Sequence, residues 1–291
     1  MQRSFVHASA AVRANLAPAV RSAAASGSQI YESRRAVDEY LLFHYGEAGD
    51  VMPYAAGPKE VLDFPKRLAE LCVAESGGSR GIGGGGTGQK LRALDIGCSV
   101  GGSAFELARH YDEVIGVDFS QHFIDAADDM KANGTREYEI MKQGHIYLQR
   151  RASVPPGIDR SRVSFQQGDA CNLDASLGTF NVILASNLLC RLPAPRQFIN
   201  SVASFLRPGG LLVLVSPYSW LEEYTPCAEW FGAKMDASGN AIDSYDALRA
   251  YMQDKKLPLV LKTKIDIPFL IREHERKFQY GVSDCTVWRR T

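Results

Sequence analysis

Five short apolar runs, separated by stretches with helical spacing, constrain the fold of this 291-residue chain more than any other feature. They are rich in Val, Ile and Leu and mostly lack polar alternation; they occupy residues 91–96, 114–118, 163–167, 182–186 and 211–216. Strands of this kind are typical of a parallel sheet that is covered on both faces. Because strand and helix alternate, the sequence predicts an α/β fold with a doubly wound sheet.

Two further strands are predicted near the end of the chain, at 259–267 and 282–288, and no crossover-length helix directly follows the first. A helix is predicted over 195–206 because its apolar residues recur with helical spacing, Pro195 opens it, and Arg-Pro-Gly-Gly at 207–210 ends it. We therefore expect a mostly parallel, seven-stranded sheet with an antiparallel last strand.

The region before the sheet is predicted to be a helical N-terminal cap over residues 30–76, because 37–43 and 65–73 have short apolar helical patterns. A Gly-rich stretch follows that lacks the G-K-[ST] ending of a phosphate-binding loop, so residues 77–90 are predicted to be a linker. The core is then expected at 91–291.

Two segments are expected to lie outside the regular core. Residues 133–159 fit neither the helical nor the strand periodicity of apolar residues, and they are long for a simple connection. We therefore expect a small structured flap that forms part of a cap over the site. Residues 1–29 are expected to be a disordered tail or a transit peptide, because 1–31 contain three arginines, no acidic residue, and many Ala and Ser.

Composition excludes several classes of function. The chain has 33 basic and 33 acidic residues, so it lacks the electrostatic footprint of a nucleic-acid binder. No apolar run is long enough to span a membrane. Its 6 cysteines form no C-x-x-C pair and have no metal-ligand spacing, which indicates neither a metal site nor a disulfide framework. We expect a reducing compartment: the cytoplasm, or the mitochondrion if the N-terminal tail is a transit peptide.

The strongest chemical signal lies in residues 94–102, Leu-Asp-Ile-Gly-Cys-Ser-Val-Gly-Gly, between the first strand and a helix. Glycines here let the backbone approach a ligand, and the helix N-terminus offers free amide donors. The Asp95 carboxylate would repel a pyrophosphate but suits the ammonium and sulfonium groups of S-adenosylmethionine. We expect Asp95, Gly97, Cys98 and Gly101 to bind this cofactor.

Three more loops follow the next strands. Asp118 lies 21 residues after Gly97, a spacing that suits a carboxylate on both ribose hydroxyls, and it is followed by Phe119 and the helix-capping Ser120. After the third strand Asp169 and Ala170 are expected at the adenine amine, and after the fourth Asn187 and Leu188 on the methyl-donor side. Because the carboxyl ends of parallel strands meet at one edge of a sheet, we expect all four loops to form one crevice.

In order and spacing, these loops resemble the class I S-adenosylmethionine-dependent methyltransferases over about residues 90–216, and the resemblance implies their Rossmann-like fold. The Asp-x-Gly start and the Arg-Pro-Gly-Gly turn support the match. Ser99 departs from the pattern, because many relatives have a glycine there. A nicotinamide-dependent dehydrogenase is the rival interpretation, but it would need a tighter glycine pattern and normally no Asp95.

Outside the cofactor loops, roughly residues 30–291 without the glycine insert at 77–88 are similar to the 4-mercaptohistidine N1-methyltransferases of ovothiol biosynthesis. The similar segments are Tyr31-Glu32-Ser33, Glu39-Tyr40-Leu41-Leu42-Phe43-His44-Tyr45-Gly46, Leu188-Leu189-Cys190-Arg191-Leu192-Pro193, residues 216–226 (SPYSWLEEYTP) and 268–273 (PFLIRE). The resemblance implies methyl transfer to an imidazole nitrogen of a thiolated histidine, a small, amino-acid-like substrate, to give ovothiol.

These family-like segments also supply the candidate substrate residues. Arg191 or Arg272 would bind a substrate carboxylate. The substrate ammonium would bind to Glu222 or Glu223, and Tyr45, Tyr218 and Trp220 would wall the ring. His44, Tyr218 and Glu222 are the catalytic candidates, although a neutral imidazole is nucleophilic enough to leave a general base optional. Two alternatives stay open: another small acceptor, such as a quinone precursor, or a non-catalytic cofactor-binding module.

Overall fold

The computed structural model describes residues 28–77 and 89–291, so most of the predicted tail and linker lies outside the described residues. The helices are α1 (Arg34–Tyr45), α2 (Ala48–Val51), α3 (Phe64–Glu75), α4 (Gly102–Leu107), α5 (Gln121–Asn133), α6 (Pro195–Val202) and α7 (Ser244–Asp254). The strands are β1 (Arg92–Ile96), β2 (Glu113–Asp118), β3 (Thr135–Gln143), β4 (Ile146–Ser153), β5 (Val163–Gln167), β6 (Phe180–Ser186), β7 (Leu206–Ser216), β8 (Lys234–Met235), β9 (Ala241–Ile242), β10 (Leu259–His274) and β11 (Lys277–Arg290).

The central sheet has seven strands in the order β10-β11-β7-β6-β1-β2-β5. Strands β5, β2, β1, β6 and β7 are parallel, and β11 is antiparallel to both of its neighbours. The predicted fold class, including the antiparallel last strand and the helical N-terminal region, is confirmed. The chain connections run toward one edge of the sheet from β1 to β2 and β5, and toward the other edge from β6 onward. The gap between β1 and β6 is therefore a topological switch point, where open α/β sheets bind their ligands.

Both faces of the sheet are buried, which explains why its strands are apolar without alternation. Along β6, Val182 and Leu184 face one core cluster together with α1, α3, α4 and α5, whereas Ile183 and Ala185 face a second cluster that includes α6 and α7. Local signals set the helix ends: Ser120 caps α5 by accepting the Phe123 N–H, and Gly134 ends that helix at φ 75°.

The predicted helix over 195–206 is too long. Helix α6 ends at Val202 and is followed by a 3₁₀ turn, and Leu206 already belongs to β7. Residues 207–210 form a bulge in that strand, because Phe180 pairs with Leu206 whereas Val182 pairs with Leu211. Gly209 has a φ of 76°, which a glycine adopts without strain.

Residues 135–153 of the predicted flap form a β-hairpin, β3–β4. Its buried residues Tyr138, Ile140 and Ala152 belong to the core cluster that contains α1. In the described part of the chain no helix is long and apolar enough to cross a bilayer.

Candidate functional site

The carboxyl ends of β1, β2, β5 and β6 converge on one cavity of about 440 Å³. All four predicted cofactor loops contribute to its lining, as do α1, α3 and β10. The predicted residues that line it are Asp95, Gly97, Cys98, Asp118, Phe119, Asp169, Ala170, Asn187, Leu188, Arg191 and His44. Residues far apart in sequence therefore meet at the switch point of the sheet.

Asp95 is the most unusual polar group in the cavity. It is 2% exposed, and its Oδ2 atom is buried without a hydrogen-bond partner among the described residues. Burial, helped by the nearby Asp118 carboxylate, raises the pKa of Asp95 to about 7. A buried carboxylate oxygen without a partner is destabilising unless a cation or a donor reaches it. This lining therefore favours a ligand that carries positive charge.

The loop after β1 requires left-handed backbone at three positions: φ is 75° at Gly97, 49° at Ser99 and 88° at Gly101. Glycine adopts this region without strain, which is the physical reason for a glycine preference at the Ser99 position. Gly101 does not line the cavity, contrary to its predicted role. A Cβ atom there would lie 2.5 Å from Cζ of Phe165, so the glycine is needed for packing behind the loop.

The Asp118 carboxylate joins the first two loops. Its Oδ2 accepts the backbone N–H of Ser99 at 2.8 Å and its Oδ1 accepts that of Ser120 at 2.9 Å. Burial raises its pKa to about 6 despite these bonds. Each oxygen keeps a further lone pair for a ligand hydroxyl. Ser120 does not line the cavity, because its hydroxyl accepts the Phe123 N–H and donates to the Tyr31 carbonyl.

The loop after β6 is held by the antiparallel strand. Asn187 has a φ of 52°, and its Oδ1 accepts a hydrogen bond of 2.7 Å from the Ser283 hydroxyl on β11. Ser283 is fully buried. Asn187, Ser99 and Tyr218 all have positive φ and all follow strands at the same sheet edge. Strained backbone of this kind concentrates at ligand sites.

Aromatic side chains from the cap, α5 and β10 complete the cavity, and sequence reasoning missed them. Tyr40 and Phe123 pack with ring centroids 4.9 Å apart, and Phe43, Phe64 and Phe269 form a second group. Tyr40, Phe43 and His44 share one face of α1, since they are spaced i, i+3 and i+4. That spacing was the available signal, but it predicts burial without saying what the face covers.

His44 lies at the cavity as a neutral side chain. Its Nδ1 accepts the Gly102 N–H, 3.1 Å away, at the start of α4. Burial lowers its pKa to about 3. Because Nδ1 is occupied as an acceptor, Nε2 carries the ring proton, and the imidazole is a hydrogen-bond donor to the cavity rather than a proton acceptor.

The structure brings only one of the predicted substrate residues, Arg191, into the cavity. Its Nη1 donates to the Ser219 carbonyl at 2.6 Å, and its guanidinium lies 4.7 Å from the Tyr224 ring centroid. Arg272 does not line this cavity; it is buried elsewhere, with Nη1 donating to the Asp50 carbonyl. Adjacent β-strand residues point to opposite sides, so Ile271 lines the cavity and Arg272 does not.

The other predicted substrate residues hold the scaffold together. Tyr45 donates its hydroxyl to the Val100 carbonyl at 2.7 Å, and the Trp220 Nε1–H donates to the Ser244 hydroxyl at 3.0 Å. The Tyr218 hydroxyl bonds to Asp284 Oδ2 at 3.3 Å. None of these three lines the cavity, and neither do Glu222 and Glu223, which are exposed.

Comparison with known proteins agrees with the geometry. Residues 94–214, which contain all four loops, match a family model described as "Methyltransferase domain". Over these residues the chain is similar to a methyltransferase domain, and its sheet has the fold of the class I S-adenosylmethionine-dependent methyltransferases. The hairpin β3–β4 does not cover the site as predicted. It lies within residues 94–214, but none of its residues lines the cavity, and its buried side chains belong to the core cluster that contains α1.

Curated relatives of the methyltransferase domain have different acceptors in their names. One is 29% identical over 129 residues: the sterol 24-C-methyltransferase of Eremothecium gossypii, with 44% of this chain and 28% of that protein covered. Another is 28% identical over 125 residues: the norajmaline N-methyltransferase of Rauvolfia serpentina, with 42% of this chain and 35% of that protein covered. The chain thus spans about a third of the length of these relatives.

Solved structures share the fold over most of the chain. Magnesium protoporphyrin IX methyltransferase from Synechocystis, with bound SAH, has a TM-score of 0.51 at 15% identity and covers 91% of this chain and 98% of its own. The [4+2]-cyclase SpnF has a TM-score of 0.54 at 15% identity, with 91% and 97% covered. Since a cyclase shares the fold, the acceptor and the reaction must be argued from the cavity.

Proposed function

We propose that this protein transfers the methyl group of S-adenosylmethionine to an imidazole nitrogen of a small, amino-acid-like acceptor. The acceptor proposed is 4-mercaptohistidine, and the product is ovothiol. The observation that carries the cofactor half is the buried Asp95 Oδ2 without a partner, in the same cavity as Asp118 and Asp169. A cationic cofactor fits this lining, whereas a pyrophosphate would meet three carboxylates.

Each loop has a role in holding the cofactor under this proposal. Asp95 would attract its positive charge, and Asp118 would accept the two ribose hydroxyls with the lone pairs that Ser99 and Ser120 leave free. Asp169 would accept the adenine amine, since its Oδ1 receives the Cys171 N–H and its Oδ2 remains for a ligand. Asn187 would lie on the methyl-donor side.

Arg191 supports an acceptor with a carboxylate. Among the described residues that line the cavity it is the single lysine or arginine, and its planar guanidinium suits a bidentate carboxylate. The aromatic group from the cap, with Tyr40 and Phe43 on α1, provides an apolar wall for a flat ring. The His44 Nε2–H would donate to a polar atom of the acceptor.

Bound S-adenosylmethionine supplies a methyl carbon attached to a positively charged sulfur. Held by Asp95, Asp118 and Asp169, it would give this methyl group to the imidazole nitrogen; the sulfur would leave as the neutral thioether of S-adenosylhomocysteine, and the acceptor's ring N–H proton would be released to solvent. The main tasks of the protein are to align the acceptor nitrogen with the methyl carbon and to exclude water. Since a neutral imidazole is itself nucleophilic, no side chain needs to act as a general base.

The same wall also supports a second candidate: methyl transfer to another small aromatic acceptor, such as a quinone precursor. The two candidates differ at Arg191, because an acceptor without an anionic group gains nothing from a guanidinium.

A screen of acceptors by mass spectrometry tests the proposal. The purified protein with S-adenosylmethionine should add a methyl group to 4-mercaptohistidine faster than to histidine or a phenolic quinone precursor. Label found only on the other acceptors would reject the proposed substrate. For the cofactor half, calorimetry should give heat with S-adenosylmethionine and none with NAD; the reverse result would reject the methyltransferase assignment itself.

A pair of arginine variants separates the two acceptors. Arg191→Met should raise the KM for 4-mercaptohistidine about tenfold or more and change kcat less, because a charge-assisted contact is lost. The matched control is Arg196→Met. Arg196 also stacks on aromatic rings and bonds to the Trp230 carbonyl, but it lies outside the cavity. Equal effects of the two variants on KM would contradict a carboxylate role for Arg191.

A further inference from the structure

Helix α1 separates two cavities. Its Tyr40, Phe43 and His44 face the cofactor cavity, whereas the opposite face of the helix lines a second cavity of about 210 Å³. The hairpin β3–β4 and the strand β10 form the remaining walls of the second cavity. Its lining is Arg34, Arg35, Asp38, Glu39, Leu42, Glu139, Ile140, Met141, Tyr147, Arg272 and Glu273.

Two charged groups of opposite sign line this second cavity and are buried. Arg272 is 5% exposed, and its Nε atom has no hydrogen-bond partner in the described residues. Asp38 is 9% exposed, and its carboxylate lies 3.7 Å from the guanidinium of Arg34, a side chain that is itself 77% exposed. Burial raises the pKa of Asp38 to about 6. An exposed ion pair of this kind contributes little, so it can be displaced by a ligand.

We propose that the second cavity binds a free α-amino acid with an apolar side chain. The ligand's carboxylate would bind the guanidinium of Arg272, which lines the cavity, and its ammonium would pair with Asp38 in place of Arg34. One zwitterion would thereby compensate both buried charges, which a simple anion or cation cannot do. Leu42, Ile140 and Met141 provide an apolar wall for the side chain, and the small volume excludes a peptide or a nucleotide.

This site is independent of the proposed methyl acceptor. Its residues belong to the cap, the hairpin and β10, and none of them lines the cofactor cavity. Binding here can therefore be measured without knowing which acceptor the protein methylates.

Calorimetry on the full chain with L-leucine as the probe tests the inference, in the absence of S-adenosylhomocysteine and at saturation with it. We expect one equivalent of L-leucine to bind in both states. Isoamylamine, which lacks the carboxylate, and 4-methylpentanoate, which lacks the ammonium, should each bind at least about tenfold more weakly. Absence of heat with L-leucine, equal binding of either half-ligand, or binding that disappears at saturation would each overturn the inference.

Two variants locate the site. Asp38→Asn should weaken L-leucine binding about tenfold, because the neutral amide cannot pair with the ammonium. Met141→Trp should block binding by filling the cavity while every charged group is kept, so it remains informative if Asp38→Asn folds poorly. Asp128→Asn, a matched change at an exposed residue of α5, should leave the affinity unchanged. If both cavity variants bind L-leucine like the unaltered protein, the assignment is wrong.

Discussion

Replacing Asp95 by Asn should make the ligand-free protein more stable and a poorer cofactor binder. The carboxylate is 2% exposed, and its pKa is raised from an ordinary value of 3.8 to about 7, first by burial and then by Asp118. At about 1.36 kcal/mol for each pH unit, this difference corresponds to about 4 kcal/mol of destabilisation when the group is ionised in both the folded and the unfolded states. Asn has nearly the same shape and carries no charge, so it should recover about 2–4 kcal/mol.

The sign of the pH dependence follows from the same shift. As the pH rises from 3.8 to about 7, the unfolded chain releases the Asp95 proton while the folded chain retains it. The free energy of unfolding therefore falls across this window and levels off above it. The Asn variant lacks this contribution, so its advantage should be near zero below the window and largest at about pH 8.

Urea denaturation of both proteins across this pH range provides the measurement. Asp128→Asn, at an exposed residue, serves as the control and should change the free energy of unfolding by less than about 0.5 kcal/mol. Calorimetry on the same Asp95 variant should show S-adenosylmethionine binding at least about tenfold more weakly at about pH 8, because a buried charge partner has been removed. An Asn variant of equal or lower stability at this pH would refute the argument that Asp95 has a destabilising, unpaired carboxylate oxygen in the ligand-free protein.

Three other changes test the remaining geometry. Ser99→Gly should stabilise the fold by about 0.5–1 kcal/mol in urea titrations and keep cofactor affinity, since Ser99 has a φ of 49°; a loss of stability would show that the serine makes a needed contact. Ser283→Ala should weaken S-adenosylmethionine binding about fivefold by releasing Asn187, and should add nothing to Asn187→Ala in a double-mutant cycle measured by calorimetry; additive effects would separate the two residues. His44→Gln should leave the shape of the pH–rate profile between about pH 5 and 8 unchanged, because the pKa of His44 is lowered to about 3; loss of a titration step in that range would restore a proton-transfer role.

Cofactor binding and stability oppose each other at this sheet edge. Asp95 and Asp118 both have raised pKa values, mainly through burial, and Ser99 and Asn187 hold left-handed backbone. A ligand that compensates the charge stabilises the folded state through its binding free energy. We therefore expect this sheet edge to be the least stable part of the protein when no ligand is bound.

The sheet and the four loops that follow its strands could be predicted from the amino-acid pattern alone. A strand buried on both faces must be continuously apolar, and parallel strands bring their carboxyl ends to one edge, so both features can be read without coordinates. Asp95, Asp118, Asp169 and Asn187 were located in this way, and all four line the cavity. Helix length was harder to read: β7 already includes Leu206 because the turn at 207–210 folds into the strand as a bulge.

The residues that lie opposite those loops depend on long-range packing, which the sequence pattern does not show. The aromatic wall comes from α1, α3, α5 and β10, and His44 contacts Gly102 across 58 positions of sequence, a contact that no local pattern encodes. Arg272 lines the second cavity because its side chain projects from the other side of β10. Trp220 and Tyr45 form hydrogen bonds within the fold and do not line the cofactor cavity. Local propensity specifies which face of an element is apolar, whereas long-range packing specifies what that face contacts.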